Sequence, residues 1–324
     1  MMIVDPIDSK DVVSRWLQAA ENDGESMAIL LGCGSVSTQS IDWRLYSHLH
    51  YDGIGAFARA LANAHSVPIP MPIGSFPPAG WSARSLPALA PQPALSESAS
   101  RPKSSTCAVP ELVEKGLLAW HHFSLDASQA VCAYARHKQC TVNSRLLYSL
   151  HQSILKKEHV GPHFNWLIPV NLRGALSPSR RAYSNQVSSI LYSGSRLDRL
   201  EQTQRAVHGQ LARGEHWRQY RRMRALCRLP LWMRTWILKR QRLKQAIPSG
   251  TFSNLGAWDA STSLEKDHFW LFCPPLASHH QIAAGCLCFQ NQISLVLRLA
   301  PDSPLAERPA KHWMQSWRDS LIQQ

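Results

Sequence analysis

The chain lacks any uninterrupted apolar run approaching the ~18 residues that a membrane-crossing helix needs. Its start, Met1-Met2-Ile3-Val4-Asp5-Pro6, lacks the basic-then-apolar order of a secretory signal. A cytoplasmic location is therefore expected, with peripheral contact at the inner face of the membrane as an extension of it. Cysteines are few, 8 in 324 residues, and no two stand in a CxxC spacing. That argues against both a zinc site and a disulfide scaffold. Cys286 and Cys288 flank a single residue and follow His279 and His280. Residues two apart on a strand share a face, so the two cysteines read as small buried side chains and no metal is expected. There is also no glycine-rich phosphate loop with which a free carboxylate would be activated.

Acidic residues are the scarce charge, 22 against 35 Lys and Arg, for a formal net charge of +13. The excess is local. Between Arg205 and Lys244 there are twelve Arg and Lys against Glu215 alone. Trp217, Trp232 and Trp236 interleave with these arginines, and Leu226, Leu229, Leu231, Met233, Ile237 and Leu238 supply apolar surface. One reading is an interfacial segment for an anionic membrane surface or partner. The other is a solvated face of an internal helix pair whose leucines are core. Nucleic acid is attracted by the same charge but is the less expected partner.

Hydrophobic residues make up 44% of the chain and include 12 Trp, enough for a sizeable core. The length suggests about two ordinary domains. A helix is expected over residues 8 to 22, a short buried strand over 26 to 34, then a strand, a turn and a helix ending near His65. From Val67 to Pro110 the composition changes, with ten of the 21 prolines. This stretch is expected to be a linker or lid, partly disordered between Ala94 and Cys107, because proline suits neither helix interiors nor central strands. The expected division is a first lobe over 1–66, the linker over 67–110 and a second lobe over 111–324. Within the second lobe, helices are expected at 127 to 137, with Asp126 as N-cap, and at 144 to 157 behind Thr141-Val142-Asn143. Further helices should fill about 199 to 244, broken near Pro230, with a closing helix from Ala306 to Ile322. Strands are expected near 164 to 173, 184 to 192, 268 to 273, 281 to 289 and 292 to 299. The alternation predicts a mixed α/β fold.

The stretch with most chemical content is Ser47-His48-Leu49-His50-Tyr51-Asp52-Gly53-Ile54-Gly55. It lies between a predicted strand and a predicted helix, where a histidine at the strand end can face a cavity. A histidine with an ordinary pKa of about 6.5 is partly neutral near pH 7 and can accept a proton. Asp52, four residues on, suits a structural role better than a catalytic one. Gly53 and Gly55 are expected to supply the backbone freedom of the turn. His122 and Asp126 repeat the HxxxD spacing, but Ala127 stands where the glycine would be.

Four features then fall in order: HxxxDG in His48 to Gly53, Thr141-Val142-Asn143, Val170-Asn171-Leu172-Arg173 followed by Ser184-Asn185, and Ser253-Asn254-Leu255-Gly256. Together they resemble the chloramphenicol-acetyltransferase-like superfamily. It includes condensation domains of nonribosomal peptide synthetases, wax ester synthases, and alcohol and plant BAHD acyltransferases. The resemblance implies a two-lobed sandwich with a tunnel between the lobes and His48 as its general base. Asp52 would be the structural carboxylate and Arg173 its ion-pair partner, although a surface arginine after a strand is an equal reading. Ser253, Asn254, Asn171 and Asn185 would lie near the tunnel or donate to an oxyanion; for Ser253 and Asn254 a simple turn role is the alternative. The implied reaction is acyl transfer from acyl-CoA or a phosphopantetheine carrier-protein thioester to a hydroxyl or amine, on a small-molecule or lipid acceptor. No permanently bound cofactor is implied. Two departures stand out: Ser47 replaces the family's first histidine, and only 47 residues precede His48 where relatives carry a longer segment, so a shortened first lobe is expected. The rival is a non-catalytic protein of this fold that binds through residues 205 to 244.

Overall fold

The computed structural model describes residues 12–21, 28–35, 40–65, 71–72, 74, 109–155, 163–176, 183–242, 248–258, 268–277 and 279–322. Most of the proline-rich stretch, including the expected disorder between Ala94 and Cys107, lies outside them.

The first segment runs α1 (Val12–Glu21), β1 (Ala28–Ser35), β2 (Ile41–Ser47) and α2 (Gly53–His65). There follow α3 (Val109–Glu114), β3 (Leu118–His122), α4 (Leu125–His137), α5 (Val142–Leu155), β4 (His163–Asn171) and β5 (Val187–Ser195). Three helices carry the basic segment: α6 (Leu200–Ala212), α7 (Glu215–Leu226) and α8 (Leu231–Arg242). The chain closes with β6 (Gly250–Trp258), β7 (His268–Cys273), β8 (Ile282–Phe289), β9 (Gln292–Leu299) and α9 (Ala310–Ile322).

Several boundaries differ from expectation for identifiable reasons. The cap of α4 is Ser124, whose hydroxyl accepts from the Ala127 N–H at 3.3 Å, and Asp126 sits in the first turn. There its carboxylate meets the positive end of the helix dipole instead of capping it. The basic helices break at Gly214 as well as at Pro230, because Gly214 adopts φ 67° and only glycine takes that conformation cheaply. The closing helix begins at Ala310, not Ala306. Residue Arg308, preceding Pro309, is extended at φ −123° and ψ 145°, as the clash with a following proline ring favours.

The strands form two sheets, one of three strands in the order β2-β1-β7 and one of six in the order β3-β9-β8-β6-β4-β5. The fold is thus mixed α/β, as the alternating pattern predicts. In the large sheet β6 runs parallel to both β4 and β8, and the other pairings are antiparallel. Helices α4, α5 and α9 pack against it. Trp317 of α9 is buried and donates its indole N–H to the Leu146 carbonyl at 3.0 Å. In the small sheet β1 pairs with β2 on one side and β7 on the other. Thus a strand 240 residues distant in sequence completes the sheet next to the HxxxDG turn. Phe57 of α2 fixes this layer, meeting Trp258, Trp270 and Phe289 edge-on at ring-centre distances of 5.0, 5.5 and 6.2 Å.

The two sheets touch where β7 crosses β8 at Gly285. A Cβ there would lie 1.8 Å from the Phe272 carbonyl oxygen, so the approach is a backbone contact that no side chain can relax. Cys286, beside it, is buried, and Cys288 is half-buried. Gly285→Ala is expected to push β7 off β8 and to cost at least about 1–3 kcal/mol, the usual range for overpacking. A chemical-denaturation midpoint equal to wild type would show that the contact is not required.

Candidate active site

The HxxxDG turn begins where β2 ends. The N–H groups of His50 and Tyr51 both donate to the Ser47 carbonyl at 3.1 Å, and the Ser47 hydroxyl accepts from the Leu49 N–H at 3.3 Å. Ser47 therefore shapes the turn. Asp52 ends it by capping α2, its Oδ1 accepting from the Gly55 N–H at 2.7 Å while its carbonyl accepts from the Ala56 N–H at 2.8 Å.

The same carboxylate is gripped from the segment that follows β4. Arg173 donates Nη1–H to Oδ2 at 2.8 Å and Nη2–H to Oδ1 at 2.7 Å, a two-pronged pair with side chains 1% and 5% exposed. The Gln186 N–H adds a fourth donor to Oδ2 at 2.9 Å, and Arg173 also donates to the Ser184 carbonyl at 2.9 Å. This explains why β5 starts at Val187 instead of Ser184: the backbone of 184–186 serves the ion pair. The charges are buried but well matched by hydrogen bonds, the condition under which a buried pair is tolerated.

Asn171 and Asn185 support this arrangement instead of facing a tunnel. Asn171 accepts the Arg173 N–H at 3.0 Å and donates to the Pro72 carbonyl at 3.0 Å. Asn185 donates to the His48 carbonyl at 2.5 Å and to the Ser14 hydroxyl at 3.3 Å. The role of the turn glycines is also corrected: neither has a positive φ. What they permit is close approach. A Cβ on Gly55 would lie 1.9 Å from the Tyr183 carbonyl oxygen, and one on Gly53 would lie 2.8 Å from Leu255 and Phe272 side-chain atoms.

His48 is half-buried. Its Nδ1 lies 2.8 Å from the Tyr51 carbonyl oxygen; since a carbonyl only accepts, Nδ1 carries the proton and neutral His48 keeps its lone pair on Nε2. Burial pushes the His48 pKa below its usual value, outweighing the Tyr51 hydrogen bond and the Asp52 charge, which both raise it. The ring is thus held neutral, in one tautomer.

His48, Asp52 and Gly53 line a cavity of about 330 Å³, within the range of small-ligand sites. The helix-lined wall is mainly apolar, with Val13, Trp16, Leu17 and Ala20 of α1, Met223 of α7 and Leu238 of α8, and Gln219 as its polar member. The strands and loops add both kinds of group: Ser188 and Ser189 of β5, Thr251 and Ser253 of β6 and His280 are polar, while Leu167, Pro169, Val187 and Phe272 are apolar. Ser253 therefore shares the cavity with His48. Asn254 does not line it: its side-chain Nδ2–H donates to Asn143 Oδ1 at 3.2 Å and its Oδ1 accepts the Gly256 N–H at 2.9 Å. Asn254 closes a bulge in β6 between Asn254 and Ala257.

Sequence reasoning missed the Thr251–His280 pair, whose Oγ1 and Nδ1 lie 2.8 Å apart. Burial first, and then His279, push His280 down to about 3, so it is a neutral wall of the cavity. Its signal was the Thr251 side chain two residues before Ser253, on the same strand face. Among the described residues, no group of three or more His, Cys, Asp or Glu could hold a metal ion.

Asp52→Ala is expected to leave the Arg173 guanidinium buried without its counter-charge, costing about 3–5 kcal/mol. Denaturant unfolding measures this. A loss under about 1 kcal/mol, the range of exposed pairs, would mean that the pair does not hold the turn.

Among known proteins, no family model matches the chain and no curated protein matches it. Solved structures do align. Polyketide synthase associated protein 5 from Mycobacterium tuberculosis is 13% identical with a TM-score of 0.47, covering 88% of this chain and 74% of that one. The epimerization domain from the third module of tyrocidine synthetase B is 10% identical with a TM-score of 0.45, covering 64% of this chain and 47% of that one. Trichothecene 15-O-acetyltransferase from Fusarium sporotrichioides is 13% identical with a TM-score of 0.43, covering 63% and 46%. This chain spans just under half the length of the last two.

Proposed function

We propose that the protein is an acyltransferase in which His48 is the general base. The observation that carries this reading is a neutral, singly oriented histidine whose free lone pair is on Nε2, at the wall of a cavity that combines an apolar helix wall with hydroxyl groups from the strands. The HxxxDG motif's resemblance to the chloramphenicol-acetyltransferase-like superfamily points the same way.

In this reading the acceptor hydroxyl or amine gives its proton to His48 Nε2 as its oxygen or nitrogen attacks a thioester carbonyl. The carbonyl oxygen becomes an oxyanion, and the Ser253 hydroxyl, in the same cavity lining as His48, is a candidate donor. As the carbon–sulfur bond breaks, the thiolate leaves with the proton returned from Nε2. No covalent bond to the protein is formed. The proton transfer accounts for about 10²–10⁴-fold of rate, and alignment in the cavity and oxyanion stabilisation supply the rest. The donor would be acyl-CoA or a phosphopantetheine-bound acyl group on a carrier protein; the chain needs an activated acyl group because it has no phosphate loop with which to make one.

The test is release of free thiol from a panel of acyl-CoAs with alcohols or amines added. Wild type should release thiol when an acceptor is present, and His48→Ala should not. Its stability should fall by about 1 kcal/mol or less, the net worth of the one Tyr51 hydrogen bond. Equal release by the variant, or loss of activity in His122→Ala instead, would assign the chemistry elsewhere; release with water alone would make the protein a thioesterase.

The pH dependence follows from the same histidine. Only neutral His48 acts as base, and its pKa is lowered, so the active form persists as pH falls through 6.5, the ordinary histidine value. The acid limb of kcat/KM should therefore have its midpoint below 6.5, with a plateau above it. A midpoint above 6.5 would contradict a buried base.

A further inference from the structure

The basic segment resolves into two faces. Inward, Trp217, Tyr220, Met223 and Cys227 are core, and Arg234 is buried with its guanidinium donating to the Arg15 carbonyl. Outward, α8 carries Trp232 at 71% exposure and Trp236 at 54%, with Lys239 and Arg240 exposed beside them. Positions 232, 236, 239 and 240 fall at i, i+4, i+7 and i+8, one stripe of a helix. Arg240 lies over the Trp236 ring, 5.1 Å from its centre. Arg221, Arg222 and Arg228, on α7 and the turn after it, are also exposed.

Two exposed tryptophans one helical turn apart form a contiguous apolar patch of the kind that marks an interaction site, unlike singly scattered surface residues. Tryptophan flanked by cations is the composition of a bilayer interface, where the indole sits at headgroup level and the basic groups meet lipid phosphates. The segment from Arg205 to Lys244, with twelve cations against one carboxylate, complements an anionic leaflet. Among the described residues no helix is long and apolar enough to cross a membrane, so the contact would be peripheral. The same helix is also a cavity wall: Leu238 faces the cavity that His48 lines, next to Met223 of α7 and Trp16 and Leu17 of α1. One helix thickness separates the outer tryptophan stripe from the apolar side of the site.

We propose that the outer face of α8 is an interfacial docking surface for anionic membrane, and that the substrate entering the apolar side of the cavity is a lipid drawn from that membrane. The lipid substrate rests on the acyl-transfer reading; the docking surface stands without it. Nucleic acid would be attracted by the same charge but gives no role to the exposed tryptophans beside the cations at headgroup level, and it becomes an outcome of the test.

The experiment is co-flotation of the full chain with vesicles of phosphatidylglycerol and phosphatidylcholine in equal parts, and with phosphatidylcholine alone, at low and high salt and without any acyl donor. Wild type should float with the anionic vesicles at low salt and be released at high salt. Lys239→Gln with Arg240→Gln should weaken partition roughly thirtyfold, since each surface-bound basic residue contributes about a factor of five. Trp232→Ser with Trp236→Ser should weaken it at unchanged charge. All four side chains are exposed, and an unaltered melting curve shows that each variant folds. Equal partition onto neutral vesicles, no partition at all, or unchanged binding by both double variants would overturn the proposal. So would salt-sensitive binding to single-stranded RNA that both variants abolish while vesicles are ignored. Because no donor is present, failure to float and failure to release thiol are separate results: floating without turnover supports the docking surface and removes the chemistry.

Discussion

The Asp52–Arg173 pair is the interaction on which the site depends. It joins residues 121 apart in sequence and ties the start of α2 to the exit of β4. Four N–H donors from three segments converge on one carboxylate. A buried pair of this kind adds little net stability compared with a well-packed apolar substitute, yet removing one partner strands the other charge. What it sets is geometry. With Asp52 fixed, the Tyr51 carbonyl is fixed, and that carbonyl selects which nitrogen of His48 carries the proton. Tight backbone approaches at Gly55 and at Gly74, where a Cβ would lie 2.2 Å from the Asn171 carbonyl oxygen, leave the surroundings little room to relax.

Much of the secondary structure is legible because burial imposes its period on the sequence. Residues Leu146, Leu147, Leu150 and Ile154 mark α5, and all are buried. The strand–turn–helix around His48 is legible from its composition, and Thr141 caps α5 by accepting the Ser144 N–H at 3.1 Å. Contacts between distant segments are not legible. Nothing local tells that β7 joins β1, that Gly285 lets β7 cross β8, or that α1 supplies one wall of the cavity. Asn171 and Asn185 sit at motif positions, but only the folded chain shows that their amides hold Arg173 and the His48 carbonyl. Ser253 and Asn254, for which a simple turn role is the alternative from sequence, lie inside β6, where a bulge with Gly256 at φ 80° follows them. The 199 to 244 stretch reads as helical, and its break at Gly214 is hidden because a lone glycine in a helical pattern does not by itself declare a left-handed residue.

Charge and cavity meet in the same helices. The basic segment has two sides: Trp217 and Tyr220 are buried in the core, and Trp232 and Trp236 are exposed. Excess positive charge destabilises a compact chain through self-repulsion unless it is spread over solvent or neutralised by a partner. Among the described residues the outer arginines of α7 have Glu215 as a nearby carboxylate, at 2.8 Å from Arg218. In the proposed docking, an anionic surface would supply the missing counter-charge.

The proposed reaction requires His48 to be neutral with its proton on Nδ1, so that Nε2 is a ready base. The most direct measurement is nitrogen-15 NMR of the imidazole in selectively labelled protein, with His48→Gln to assign the resonance, followed through a pH titration. A protonated Nδ1 and an unprotonated Nε2 are expected at neutral pH, with the ring gaining its second proton only below pH 6.5, the ordinary histidine value. A proton on Nε2 at neutral pH, or a titration midpoint above 6.5, would contradict this role for His48.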